Sequence, residues 1–248
     1  MAYILLTNDD GFRAAGIRRL REALAHLGQV MVVAPEREQS AAGHALTLTS
    51  PLRINWIDDN TISVDGTPTD CVLLAMRGLL DRKPDILVSG INHGPNLGDD
   101  VTYSGTVAAA FEGTLLDLPS VAISVNAWQD CDFSAAAAFA PRIVEAVLSH
   151  GLPEGALLNV NAPSAPAEAV KGVKITKLGK RLYRDAVVRK TDPRGRDYYW
   201  IGGKAPIWYP GEETDFEAVD HGMISITPLH LDLTDYGSME ALKSWNLT

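Results

Sequence analysis

At 248 residues, with 46% hydrophobic and 21% charged side chains, the chain is long enough to fill a large α/β core without disulfides or a structural metal. A formal net charge of -9 disfavours binding to nucleic-acid polymers, although a bound divalent cation can reverse the field locally and admit a small anionic substrate. Cys71 and Cys131 lack the spacing of a zinc site or a secreted disulfide framework, no leader pattern opens the chain, and no apolar run reaches membrane length. A cytoplasmic protein, not a membrane one, is therefore expected.

In chain order, "YILLT" reads as a buried parallel strand that stops at the acidic turn "NDDG". A helix follows with Ile17, Leu20, Leu24 and Leu27 on one face, and Gly28 as its expected stop. "QVMVVAP" is a second strand, residues 35–50 a long loop, and "PLRINWI" with "TISV" a hairpin around Asp58, Asp59 and Asn60. "GTPTDCVLLAMRGLL" carries a helix start, with Thr67 as cap, Pro68 at the first position and Asp70 completing a box. "DILVSG" is a strand, followed by a Gly- and Asn-rich loop into the helix "TVAAAFEGTLL". Then come the strand "SVAISV", the helix "SAAAAFAPRIVEAVLSH" and the strand "ALLNVNAP". This alternation predicts a three-layer, Rossmann-like α/β fold: a mostly parallel sheet with helices on both faces. From about Ala165 the segments turn polar, aromatic and strand-like ("GVKITKL", "YRDAVVRK", "DYYWIGG", "MISITPL"), ending in the helix-like "SMEALKSWNL". Residues 1–164 are expected to form the core, and 165–248 a β-rich extension and tail rather than an independent domain.

Ligands of open α/β sheets bind beyond the carboxyl ends of the strands, and three such ends carry unusual loops. In the first, Asp9 and Asp10 offer hard oxygens suited to Mg²⁺ or Mn²⁺; the alternative is a tight turn with a capping Asp. The second, "PEREQSAAGH", holds Ser40, a candidate hydroxyl ligand or simply a solvated loop serine, and His44; His44 and His93 are acid–base candidates, with surface or hydrogen-bonding residues as the alternative. The third, "SGINHGPNLGDDVTYSGT", holds Asn92 and Asn96. It runs into a helix whose first amides, from Ser104, Gly105 and Thr106, would cradle phosphate; a flexible loop with a Ser cap is the alternative. His221 and His230 read as structural or interface residues. The Lys177–Arg196 stretch, with Tyr183 near it, reads as a solvated hairpin or subunit contact. A dinucleotide fingerprint and a P-loop are both absent, and Ser89 and Gly90 stand where a phosphoacceptor receiver domain would want an Asp.

"TNDDG", "GTPTDCV", "SGIN" with its continuation "GDDV…YSGTV", and the late "ISITPLHLDLT" together resemble the survival protein E (SurE) nucleotidases over nearly the whole chain. The resemblance implies a metal-dependent phosphatase that hydrolyses nucleoside 5'- and 3'-monophosphates, with short polyphosphate as a further substrate. It implies one divalent cation per subunit, Mg²⁺ or Mn²⁺, held by Asp9, Asp10, Ser40 and Asn92. Asn96 and the Ser104–Gly105–Thr106 segment would line the phosphate pocket. It also implies dimers or tetramers with exchanged C-terminal segments. One departure is visible: Gln39 stands before Ser40 where the family often has a basic residue. The competing reading is a nucleotide-sensing module without turnover.

Overall fold

The computed structural model describes residues 1–127, 129–182, 187–201 and 207–245. The core builds in the expected alternation. Strand β1 (Ala2–Thr7), helix α1 (Ala15–Leu24) and strand β2 (Gly28–Pro35) lead through the hairpin β3 (Ile54–Asp58) and β4 (Thr61–Val64) to α2 (Pro68–Leu74). Then come β5 (Ile86–His93), α3 (Gly105–Leu115), β6 (Ser120–Asn126), α4 (Ser134–His150) and β7 (Ala156–Pro163). The later segments are β8 (Val173–Ile175), β9 (Arg181–Leu182), β10 (Val187–Thr191), β11 (Asp197–Ile201), β12 (Ile207–Trp208), α5 (Asp215–Asp220), β13 (Ile224–His230) and α6 (Tyr236–Lys243).

Nine strands form one sheet in the order β3-β4-β2-β1-β5-β6-β7-β13-β8. From β4 to β7 neighbouring strands are parallel; β3 and β13 run antiparallel to β4 and β7, and β8 runs parallel to β13. Alternation along β1 explains the layering. Ile4 and Leu6 pack with Ile17, Leu20 and Leu24 of α1 and with the apolar face of α4, whereas Tyr3 and Leu5 pack with Cys71 and Val72 of α2 and Ala109 of α3. Each Leu or Ile so buried contributes about 1.5–3 kcal/mol, which fixes the register of the strand that bears it.

One expectation about a helix end is corrected. α1 stops at Leu24, short of Leu27, and Gly28 opens β2 rather than capping the helix. A Cβ at Gly28 would lie 2.0 Å from the Ala2 carbonyl oxygen, so glycine serves strand pairing there. The helix from Pro68 is α-helical only to Leu74, and Ala75–Leu79 continue as a π turn. The capping box is present: Thr67 Oγ1 accepts from the Asp70 amide at 3.1 Å, and Asp70 Oδ2 accepts from the Thr67 amide at 2.9 Å.

The later segments divide between two places. β8 and β13 complete the main sheet, while β10 and β11 form a separate antiparallel hairpin, and β9 pairs with β12. Parts of the segments predicted around Tyr183, of "DYYWIGG" and of the tail lie outside the described residues. Cys71 is buried and Cys131 partly buried, and both are free thiols.

Candidate active site

The chain leaves β1 for β2 on one side and later returns to β5 on the other. This topological switch opens a crevice at the carboxyl ends of β1 and β5, where ligands of such sheets bind. The turn "NDDG" closes β1 there: Gly11 adopts φ +93°, Asn8 Nδ2 donates to its carbonyl at 3.0 Å, and the Phe12 amide donates to Pro35 O at 2.9 Å.

Asp9 lies on the α3 side of the sheet and is 4% exposed. Thr106 Oγ1 donates to Asp9 Oδ1, and the Thr106 amide also bonds to Asp9. Gly105 makes this approach possible, because a Cβ there would sit 2.8 Å from Asp9 Cβ and 2.9 Å from Oδ2. Burial pushes the Asp9 carboxyl above its ordinary range; the Thr106 bonds pull it down, and the Glu38 charge adds to the rise. Asp10 Oδ2 accepts from the His93 amide at 3.1 Å. Its carboxyl is pushed up to about 6, first by burial and then by the Asp9 charge, against the lowering effect of the His93 amide and ring. The like charges are thus both half or wholly removed from water and pressed together, an arrangement that a cation between them relieves.

The second loop reaches the same corner. The Gln39 amide donates to the Asp9 carbonyl at 2.7 Å, which sets Ser40 one residue away. Ser40 is exposed, and its Oγ donates to Glu38 Oε1 at 2.8 Å. The far end of the loop is fastened to α2: Asp70 accepts from the Thr47 amide at 2.9 Å and from Thr47 Oγ1 at 2.6 Å, and Thr67 Oγ1 donates to Ala45 O at 2.8 Å. The box that starts α2 therefore also anchors this loop.

From the third loop, Asn92 follows a bulge between β5 and β6 next to Gly90, where a Cβ would meet Ile123 O at 2.2 Å. Its Nδ2 donates to Gly94 O at 2.8 Å, which leaves Oδ1 as the free donor atom for an ion. Asn96 is gripped from below. Its amide donates to Asn161 Oδ1 at 2.8 Å, and its carbonyl accepts from Asn159 Nδ2 at 2.8 Å and Asn161 Nδ2 at 3.0 Å. Its own Nδ2 donates to Ser124 Oγ at 2.8 Å. Ser104 caps α3 through a 3.1 Å bond from the Val107 amide to its Oγ. The first turn of α3 thus faces Asp9 through Thr106, with the dipole of an eleven-residue helix behind it.

Three features of this corner escape sequence reasoning: the Asn159–Asn161 grip, a contact between His44 and Glu112, and Asp215. Asp215 is fully buried and accepts from the Gly98 amide at 2.7 Å and the Gly179 amide at 2.8 Å, tying the third loop to the base of the extension. Polar Asn159 and Asn161 on one face of an apolar strand were the available signal for the first. His221 Nδ1 contacts Glu217 O at 2.7 Å and His230 Nδ1 accepts from the Asp232 amide at 2.9 Å, both local structural bonds.

Among the described residues, no three His, Cys, Asp or Glu side chains are grouped to hold an ion. An ion at this corner would rest on the two carboxylates plus neutral oxygens, and the donors at hand, all hard oxygens, fit Mg²⁺ or Mn²⁺ rather than zinc.

The arrangement has close counterparts. The family model described as "Survival protein SurE" matches residues 4–185. The curated protein "5'-nucleotidase SurE" of Geotalea uraniireducens (strain Rf4) is 56% identical over 246 residues, covering 99% of each chain. That of Geobacter sulfurreducens is 55% identical, covering 99% of this chain and 94% of its own. The crystal structure of the Sure protein from Aquifex aeolicus superposes with a TM-score of 0.87 at 46% identity, covering 98% of each chain. A model match over residues 4–185, and more than half of all positions shared with relatives of full length, establish that this chain belongs to the SurE survival-protein family.

Proposed function

We propose that the chain is a divalent-metal-dependent phosphomonoesterase that hydrolyses nucleoside 5'- and 3'-monophosphates, with short polyphosphate as a further substrate. The observation that carries this reading is the Asp9–Asp10 pair, Asp9 buried and Asp10 partly so, set against the N-terminus of α3 at the sheet's switch point. The curated relatives' designation as 5'-nucleotidases supports it.

In this reading Asp9, Asp10, Ser40 and Asn92 hold one Mg²⁺ or Mn²⁺. When bound, the ion supplies Lewis-acid polarisation of the phosphoryl group and a water of lowered pKa. The chain's own residues supply position and field. The α3 dipole and the amides of Ser104 and Gly105 attract the phosphate oxygens, while Thr106 orients Asp9. The grip on Asn96 holds the substrate loop still, so that little ordering is left for the moment of reaction. The ester P–O bond breaks, water adds at phosphorus, and nucleoside and inorganic phosphate leave. A phosphate-release assay with adenosine and guanosine monophosphates, with Mn²⁺ and then with excess chelator, tests the proposal. Metal-dependent release supports it, whereas binding of nucleotide without release would leave a sensing module instead.

The Asp10 carboxyl gives a signed prediction. Its folded value of about 6 exceeds the ordinary 3.8, so the folded protein binds more protons in that window. Without metal, stability contributed by this group is present at low pH and is lost as pH rises through about 6. Added Mn²⁺ should therefore raise the melting temperature more near neutral pH than at about pH 5, read by thermal shift.

Residues 165–248 are proposed as an assembly arm on the 1–164 core, exchanged between the subunits of a homodimer or homotetramer. Trp200 is 61% and Ile201 90% exposed on the β10–β11 hairpin, a run of apolar surface left uncovered by the described residues. Light scattering at micromolar concentration should report an oligomer; a monomer would refute the arm. Among the described residues no helix is long and apolar enough to cross a membrane, and a cytoplasmic setting is part of the proposal.

A further inference from the structure

We infer that His44 and Glu112 form a clamp that positions Ser40 at the acidic corner, an inference that rests on the metal-site reading above. Glu112 lies on the buried side of α3, in the same helix whose first turn grips Asp9; its side chain is 9% exposed. A carboxylate removed from water to this degree is costly unless it is paired. The partner that the structure supplies is His44, whose Nε2 stands 2.9 Å from Glu112 Oε2. The imidazole also stacks on Phe111, with ring centroids 6.4 Å apart. The contact joins residues 68 positions apart in sequence, so it fastens the loop to the helix rather than stabilising either alone.

Its place along the loop gives it meaning. Moving out from β2, the loop is tied where the Glu36 amide meets Val64 O at 2.7 Å, then where the Gln39 amide meets Asp9 O at 2.7 Å, and next at His44. Ser40 lies on the short span between. That span turns through Ala41 at φ +61° and Gly43 at φ +58°, held internally by the Ala42 amide on Gln39 O at 3.2 Å. A left-handed alanine is unfavourable and persists only when both ends of the span are held. Past His44 the Ala45 carbonyl is held by Thr67 Oγ1 at 2.8 Å, so without the His44 contact the loop stays docked on α2, while the span bearing Ser40 loses its tie to α3 and carries Ser40 away from Asp9 and Asp10. The same contact takes up His44 Nε2 on Glu112, which ties the imidazole to the placement of Ser40. His44 and Glu112 are positioning residues.

Glu112→Leu separates this role from simple stability. It replaces a buried carboxylate with an apolar side chain of similar size, and the partner it leaves, the His44 side chain, is 38% exposed and can bond to water, so no buried charge is left unpaired. Hydrogen exchange of the Gln39 and Ala42 amides and the affinity for Mn²⁺ alone, by calorimetry without nucleotide, are measured in the full chain. In Glu112→Leu the melting temperature should hold, both amides should exchange faster, and Mn²⁺ affinity should fall about tenfold, as supporting residues around metal ligands typically cost 10–100-fold. Glu112→Gln, which keeps a hydrogen bond to His44, should restore both. Unchanged exchange, or faster exchange with unchanged Mn²⁺ affinity, overturns the clamp. A wild-type protein that binds Mn²⁺ but releases no phosphate refutes the proposed reaction and leaves the clamp to be judged on these same two readouts. If the wild type binds no Mn²⁺, the metal-site reading falls and the positioning role falls with it.

Discussion

Asp9→Asn should lower turnover of nucleoside monophosphates by about 10³-fold, the scale on which loss of a key electrostatic group is felt in a preorganised site. The expectation comes from how this carboxylate is held. Asp9 is 4% exposed and receives two bonds from Thr106, so its position is set by α3 rather than by solvent. An asparagine is the same size and can still accept from Thr106 Oγ1. The fold should therefore survive, and with less burial cost, since the neutral amide needs no desolvation of charge. What it loses is half of the negative charge that Asp9 and Asp10 present together. Without Asp9's charge the Asp10 carboxyl is relieved of the second-largest influence that raises it and moves back toward its ordinary range. Three measurements check this: steady-state phosphate release at saturating Mn²⁺, the melting temperature, and Mn²⁺ affinity. Turnover within tenfold of wild type at saturating Mn²⁺ would remove Asp9 from the ion site. Loss of turnover with a collapsed melting temperature would mean that Asp9 serves the fold instead.

How far this corner can be read from sequence depends on the distance over which each part is specified. Strands β1, β2, β5, β6 and β7 are legible because a parallel strand covered on both faces must be apolar throughout, and runs such as "YILLT" and "SVAISV" carry that signal locally. The box at Thr67, Pro68 and Asp70 is equally local, since all its partners lie within one turn. The Asp doublet is visible because two acids at the end of an apolar run demand an explanation on their own. The grip on Asn96 is not legible: it joins residues 65 positions apart, and neither "NHGPN" nor "LLNVNAP" says that the other exists. Asp215 is hidden for the same reason, since its bond to Gly98 spans 117 positions. The strands after Ala165 show a different limit. Their alternation marks them as strands, yet β13 and β8 join an edge of the main sheet while, among the described residues, β10 and β11 pair only with each other. That choice depends on which edge is left open by β7, a property of the folded sheet rather than of any segment.

The second large effect is expected from the smallest change at the site. Gly105→Ala should reduce turnover by about 10²-fold, since a displacement near 1 Å at a reacting centre can cost that much. Helix propensity argues the other way. Gly105 is the first residue of α3, and alanine there is worth up to about 1 kcal/mol more to a helix than glycine. No left-handed backbone requires glycine at this position, because its φ is not among the positive values in the chain. The reason for glycine is the neighbour: a Cβ would lie 2.8 Å from Asp9 Cβ, closer than such atoms approach, and 2.9 Å from Oδ2. Either the carboxylate swings away from Thr106 or the first turn of α3 lifts from the sheet. Both separate Asp9 from the helix terminus that is proposed to hold phosphate. The two opposing terms make the result diagnostic. If the close approach belongs to the site, Gly105→Ala gives a melting temperature within a few degrees of wild type, a large fall in kcat, and weaker binding of inorganic phosphate in the presence of Mn²⁺. If Gly105 serves packing alone, the melting temperature falls and the kcat of the folded fraction stays within about threefold of wild type. Gly105→Ser should behave like alanine in turnover, because its Cβ meets the same obstacle whatever the hydroxyl does.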